Sequence, residues 1–191
     1  MRVHKTYGTL EEGKKLTDKY LLTDYNKLVE AVVETLWKNL PSDKFEELIQ
    51  QSEYNPGVKE TFEELKKLGF KIAIITCGPN QLIEKIKKDN IYFDYAFSNH
   101  IEISDGIIKG NFKGTVAEGR HHKVKLLTRI CDELNITKNE VIAVADGKTD
   151  LEMIEFVGMG IAFRSTNEHI KKAATHIIQG DNLKSILEFI R

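Results

Sequence analysis

At 191 residues, with 41% hydrophobic and 30% charged residues, the chain has the profile of a globular protein with a substantial core. Its 28 Lys and Arg nearly cancel its 29 Asp and Glu, so no global field draws it to a partner nucleic acid or membrane surface. No apolar run nears the roughly 20 residues that span a bilayer, the start M-R-V-H-K-T-Y-G-T has no secretory pattern, and Cys77 and Cys131 are too few for a disulfide framework, so a cytoplasmic location is expected.

Residues 10–51 carry helical periodicity. In Y-N-K-L-V-E-A-V-V-E-T-L-W-K-N (25–39), Leu28, Val32, Leu36 and Asn39 fall three or four apart, with Val29, Val33 and Trp37 alongside them. Such a stripe is broad enough to bury one face of a helix. Pro41-Ser42 opens a further helix, with Ser42 the expected N-cap and Asp43 complementing the helix dipole. At Asn55-Pro56-Gly57 the pattern changes. V-K-E-T-F-E-E-L-K-K-L-G-F is an amphipathic helix ending at Gly69, and K-I-A-I-I-T-C is a buried strand that runs into a helix start at G-P-N-Q-L-I. Y-A-F-S-N (95–99) is a short strand, and H-I-E-I-S-D-G-I-I-K-G-N-F alternates around Asp105-Gly106, a hairpin signal. Helix 121–134, strand 140–146, helix 148–157, strand 159–163, a helix capped by Ser165 and Glu168, strand H-I-I-Q and helix 181–190 complete the chain. Strands alternating with helices predict an α/β unit over 55–191, a parallel sheet with helices on both faces, preceded by a helical unit at 8–54.

In open parallel sheets, ligands bind beyond the carboxyl ends of the strands. Two strands here end in residues suited to that position. The first delivers Thr76, Cys77 and Gly78 to a strand-to-helix turn, where a hydroxyl and backbone N–H groups could hold a phosphate oxygen. The second, V-I-A-V-A-D-G-K-T-D, ends on Asp146 and Asp150, four positions apart. Carboxylates facing a phosphate repel it unless a divalent cation lies between, and magnesium (Mg2+) suits oxygen ligands and phosphates. Lys123, at the start of a helix in G-R-H-H-K-V-K-L-L, could bring a positive charge to the same phosphate. Taken singly, each has a plainer reading. Thr76 also reads as a strand-end residue, the aspartate pair as a helix cap with a first-turn acid, and Lys123 as a solvated side chain. Cys77 at a helix N-terminus has no His partner nearby in sequence to make it a nucleophile. A nucleotide-dependent oxidoreductase is a poor fit, because Gly158-Met159-Gly160 is a lone G-x-G.

Together, order and spacing resemble the haloacid dehalogenase (HAD) superfamily, in its phosphoserine-phosphatase-like branch, over about residues 8–190. P-G-V-K-E-T-F-E-E-L-K-K-L-G-F-K-I-A-I-I-T-C-G resembles that branch's second motif, with Thr76 at the phosphate-binding Ser/Thr. D-Y-A-F-S-N-H-I-E-I-S-D-G-I-I-K-G resembles the following hairpin, with Asn99 at a matching polar position. Lys123, 23 residues before Asp146, is similar to the third-motif lysine, and V-I-A-V-A-D-G-K-T-D-L-E-M-I to the fourth motif, G-D-G-x-N-D. The resemblance implies a HAD-like Rossmannoid core at 55–191 and a small helical cap at 8–54. It further implies a magnesium-dependent phosphomonoester phosphatase acting on a small phosphorylated metabolite. Thr76, Cys77, Gly78 and Lys123 would bind phosphate, Asp146 and Asp150 the metal, and Lys123 and Asp150 would carry the catalytic roles.

Three departures accompany the resemblance. The family's first motif, D-x-D-x-[TV], supplies its nucleophile and general acid, yet no two aspartates here are two residues apart. In the family that strand lies between those carrying Thr76 and Asp146. Either M-R-V-H-K-T-Y folds into the slot, another chain fills it, or the polypeptide starts upstream; a truncated reading frame is the favoured expectation. The open slot also leaves room for a homodimer or strand exchange. Lacking the attacking carboxylate, the chain has as its alternative a non-catalytic phosphate- or metabolite-binding role. Ala145 and Thr149 replace the fourth motif's Gly and Asn. The cap arginine that grips the substrate carboxylate in phosphoserine phosphatases aligns with Val33, for which Lys27 or Lys38 would be a partial replacement.

Overall fold

The computed structural model describes residues 2–21, 23–114 and 122–190. The chain divides into two compact units, Met1–Glu53 with Gly69–Arg120, and Tyr54–Leu68 with His121–Arg191. Sheet topology follows the same division. One three-stranded sheet has the order β1-β2-β3, from Ala73–Pro79, Tyr95–Ser104 and Ile107–Gly114; the other has β4-β5-β6, from Ile142–Ala145, Met159–Phe163 and His176–Ile178. Among the described residues the strand ladders are parallel except the β2–β3 hairpin, and an isolated antiparallel bridge joins Pro41 to Ile107. The predicted α/β architecture is therefore present, with its strands in two sheets. β1 and β4, which lead into the candidate site residues, are each the terminal strand of their sheet.

In the first unit, α1 (Arg2–Thr6), α2 (Leu10–Tyr20), α3 (Tyr25–Glu30) and α4 (Asp43–Gln50) precede the strands. Residues 2–6 are helical, so the option that the amino-terminal segment forms a sheet strand does not hold. The segment is short and poorly apolar for a central strand, and His4 turns into the helical layer, its ring 5.2 Å from that of Trp37. The helix expected over 25–39 forms as α3 running directly into a π-helical stretch, Ala31–Trp37. The wider turn shifts the stripe: Leu28, Val32 and Val33 are buried, whereas Asn39, at φ +66°, is exposed and lies beyond the helix end at Trp37. Val33 packs with Phe45, Ile49, Ile101 and Ile108, joining the helices to the hairpin. Backbone bonds tighten that junction: Asn39 donates to Ile108, Ile108 to Leu40 and Ser42 to Gly106. The hairpin turn places Asp105 at φ +54° and Gly106 at φ +70°, as the sequence predicts for a primed turn. Ser42 sits at the N-cap of α4, but its hydroxyl donates to Glu46 at 2.8 Å and makes no capping bond to the backbone.

The second unit shows why its strands are apolar on both sides. Ala143 and Ala162 face Ile154 of α8 (Leu151–Phe156) and Ile170 of α9 (Glu168–Ala173). Ile142, Val144, Ile161 and Phe163 face the opposite way, against Leu65 of α5 (Val58–Lys67) and Ile186 of a 3-10 segment, Leu183–Phe189. Alternate residues thus enter separate cores on the two faces, the arrangement that requires unbroken apolar strands. The closing helix expected at 181–190 is that 3-10 segment, opened by the Asn182 side chain accepting from Lys184 N–H. The helix expected to start with a Ser165–Glu168 cap is instead capped by Asn167, whose Oδ1 accepts from His169 N–H. No described helix is long and apolar enough to cross a membrane.

Candidate functional site

In the first unit, β1 pairs with β2 in regular parallel register from Ala73↔Tyr95 to Ile75↔Phe97 and next at Pro79↔Asn99. Between those pairs β1 advances four residues and β2 two, so Thr76, Cys77 and Gly78 bulge out of the ladder opposite Ser98. Bulges of this kind re-aim backbone and side chains at the end of a strand. The three predicted phosphate-binding residues are this bulge. The Thr76 hydroxyl accepts from Gly78 N–H at 2.9 Å, which leaves its own hydrogen to donate to an incoming acceptor. A Cβ on Gly78 would lie 3.1 Å from both Thr76 Oγ1 and Leu82 Cδ1, so the turn suits glycine. The Cys77 carbonyl accepts from Asn99 Nδ2 at 3.0 Å and from the Tyr25 hydroxyl at 3.2 Å. Directly after the bulge, α6 (Asn80–Lys88) begins at Pro79, which offers no capping side chain, and its first turn holds no acid. Such a helix start presents amide hydrogens and the positive end of the dipole.

In the second unit, Lys123 stands in the first turn of α7 (His122–Leu134), and Asp150 ends a 3-10 turn, Lys148–Asp150, that follows β4. The Lys123 ammonium bonds Asp150 Oδ1. Both side chains are only 11% exposed, so this is no solvated surface pair. Asp150 Oδ2 accepts from Gly147 N–H at 3.3 Å, and Asp150 N–H donates to the Gly147 carbonyl at 3.0 Å. Asp146, by contrast, is exposed. Its carbonyl accepts from the Ser165 hydroxyl at 2.7 Å, and Ser165 Oγ also accepts from Asn167 N–H at 3.1 Å. Ser165 is 1% exposed and ties the ends of the adjacent strands β4 and β5 together.

Ser165, Gly147 and Tyr25 are the contributors that pattern reading passed over or assigned differently. Ser165 had one available signal, its position two residues past the carboxyl end of a parallel strand, but the S-x-x-E spacing pointed to a helix cap instead. Tyr25 had none, because its partner lies 52 positions away.

As for a metal, no group of three or more His, Cys, Asp or Glu that could hold an ion occurs among the described residues. The donors present after β4 are carboxylate oxygens. They fit magnesium, which binds through one or two carboxylates and keeps waters and phosphate oxygens in its remaining positions. Val33 is fully buried in the apolar cluster and offers nothing to a ligand. Lys27 is exposed and paired with Asp24 at 3.1 Å.

Residues 38–190 match the haloacid dehalogenase-like hydrolase family. The chain belongs to this family. Within it the chain falls in the phosphoserine-phosphatase-like branch. It is 32% identical to the phosphoserine phosphatase of Methanocaldococcus jannaschii over 187 residues, 96% of this chain and 86% of that protein. It is 30% identical to the phosphoserine phosphatase of Archaeoglobus fulgidus over 189 residues, 98% of this chain but 54% of the longer relative. A solved substrate-bound phosphoserine phosphatase complex superposes with a TM-score of 0.86 at 30% identity, covering 99% of this chain and 89% of that one. This HAD-family chain therefore shares fold and branch with those phosphatases across nearly its whole length.

Proposed function

We propose that this HAD hydrolase binds and hydrolyses a small phosphomonoester with magnesium as cofactor. The observation that carries the reading is the Lys123–Asp150 pair, a cation held at the end of a parallel strand by a nearly buried carboxylate. In the first unit, the Thr76 hydroxyl, oriented by Gly78 N–H, and the turn through Cys77 and Gly78 into the start of α6 are suited to bind phosphoryl oxygens. In the second, Lys123, its ammonium fixed by Asp150, would neutralise phosphoryl charge, and Asp146 and Asp150 would be the residues to hold magnesium. Bound magnesium would add further neutralisation of the phosphate charge. The residues do not specify phosphoserine, because buried Val33 provides no grip for a carboxylate. Conversion of a small cytoplasmic metabolite fits the balanced charge of the chain.

One observation favours a second reading. The sequence contains no two aspartates two positions apart, so the family's attacking carboxylate has no counterpart in the D-x-D form. The second reading is a HAD-like protein that binds phosphate or a phosphorylated metabolite without turning it over. Phosphate release from p-nitrophenyl phosphate and from phosphoserine, with and without magnesium, distinguishes the two. Magnesium-dependent turnover establishes the first. Calorimetric binding of phosphate without turnover establishes the second, and neither binding nor turnover overturns both.

A further inference from the structure

The bulge at Thr76–Gly78 lies between the registered pairs of the β1–β2 ladder, and side chains hold its Cys77–Gly78 peptide. The Cys77 carbonyl and the Gly78 N–H belong to one planar unit. Its oxygen is held at 3.0 Å by Asn99 Nδ2, from β2, and at 3.2 Å by the Tyr25 hydroxyl, from the first residue of α3. Its nitrogen donates to Thr76 Oγ1 at 2.9 Å. Any tilt of this plane therefore moves the Thr76 hydroxyl assigned to phosphate. Donors on the carbonyl also polarise the unit and strengthen its N–H as a donor. A phenyl ring alone would fill the space Tyr25 occupies, yet a hydroxyl taken from water costs free energy unless it is bonded. Burial pushes the Tyr25 phenol well above its ordinary range, so it stays a donor at every working pH.

We propose that Tyr25 is a positioning residue for phosphate, its hydroxyl orienting the Cys77–Gly78 peptide from the helical segment. This rests on the reading of residues 76–78 as a phosphate-binding turn. It makes affinity at that turn depend on a group supplied by α3, so displacement of α3 loosens the ligand's grip.

The test is Tyr25→Phe in the full chain, with inorganic phosphate and magnesium as the probe and Tyr7→Phe as the control. The Tyr7 hydroxyl also bridges backbone in this unit, donating to the Pro41 carbonyl at 2.5 Å and accepting from Phe45 N–H at 3.1 Å. Calorimetry gives affinity, thermal unfolding gives stability, and the 15N–1H resonance of Gly78 reports the peptide plane. The expected result is that Tyr25→Phe weakens phosphate binding roughly three- to tenfold, the size of one hydrogen bond, and shifts the Gly78 resonance. Tyr7→Phe should lower the melting temperature with affinity unchanged. Wild-type affinity in Tyr25→Phe, or equal weakening in both variants, overturns the positioning role while the phosphate-binding reading stands. If the wild-type chain binds no phosphate, or binds it without perturbing Gly78, both fall together.

Discussion

Lys123 and Asp150 lie 27 positions apart in sequence and share one ion pair, with each side chain 11% exposed and the second Asp150 oxygen taken up by Gly147 N–H. A pair this enclosed is costly to break from one side, because the remaining charge is left without its counterpart in a poorly hydrated place. We expect Lys123→Ala or Asp150→Ala to lower stability by about 3–5 kcal/mol in chemical denaturation. The double change Lys123→Met with Asp150→Leu should recover much of that loss, yet it should not recover phosphate binding. Recovery of both would show that the pair serves folding alone.

Thr76 can be tested with its shape preserved. Thr76→Val keeps the branched side chain but removes both the acceptor for Gly78 N–H and the hydrogen offered to phosphate. Phosphate affinity should fall about tenfold or more, while Thr76→Ser stays near wild type. Calorimetric titration with inorganic phosphate decides it.

Asp146 is exposed, so its substitution should scarcely affect the fold. Asp146→Asn should change stability by no more than about 0.5 kcal/mol. Its effect should fall on the metal, raising the magnesium concentration that half-saturates phosphate binding. An unchanged magnesium titration would remove Asp146 from the metal site.

His4 predicts a pH dependence in the helical layer. It is 6% exposed, its Nδ1 lies 2.8 Å from Thr9 Oγ1, and burial lowers its pKa from the ordinary 6.5. The unfolded chain therefore takes up the proton first as the pH falls. The stability that neutral His4 contributes is complete above about 6.5 and is lost as the pH drops through the lowered folded value. His4→Phe should flatten urea-denaturation stability across that window. Carboxylates held low, such as Asp105 beside the Ser104 hydroxyl, act only below about pH 4 and leave the window clear.

Much of this arrangement was legible in the sequence where local chemistry determines it. Asp105-Gly106 turns because those residues tolerate positive φ, and the two-faced apolar runs at 142–145 and 159–163 form parallel strands because both faces are covered. The turn at 76–78 and the first-turn place of Lys123 followed from motif spacing. Other features depend on partners distant in sequence. Nothing local marks the Tyr25–Cys77 bond, the enclosure of the Lys123–Asp150 pair, or the choice of Ser165 to hold the Asp146 carbonyl over capping a helix. The π-helical turn at 31–37 escaped for a related reason: packing around Val33 overrides the 3.6-residue period that the stripe suggests.

The place of β4 at the end of its sheet has a consequence for how the chain exchanges its amide hydrogens. Ile142–Ala145 packs on both faces, yet among the described residues its backbone has a ladder partner only in β5. Side-chain burial and amide protection therefore part company along this strand. Amides directed to β5 share the slow exchange of the sheet, whereas their alternating neighbours lack that partner and exchange through local openings. Deuterium labelling would show an every-other-residue pattern in the very strand that carries Asp146 to its place.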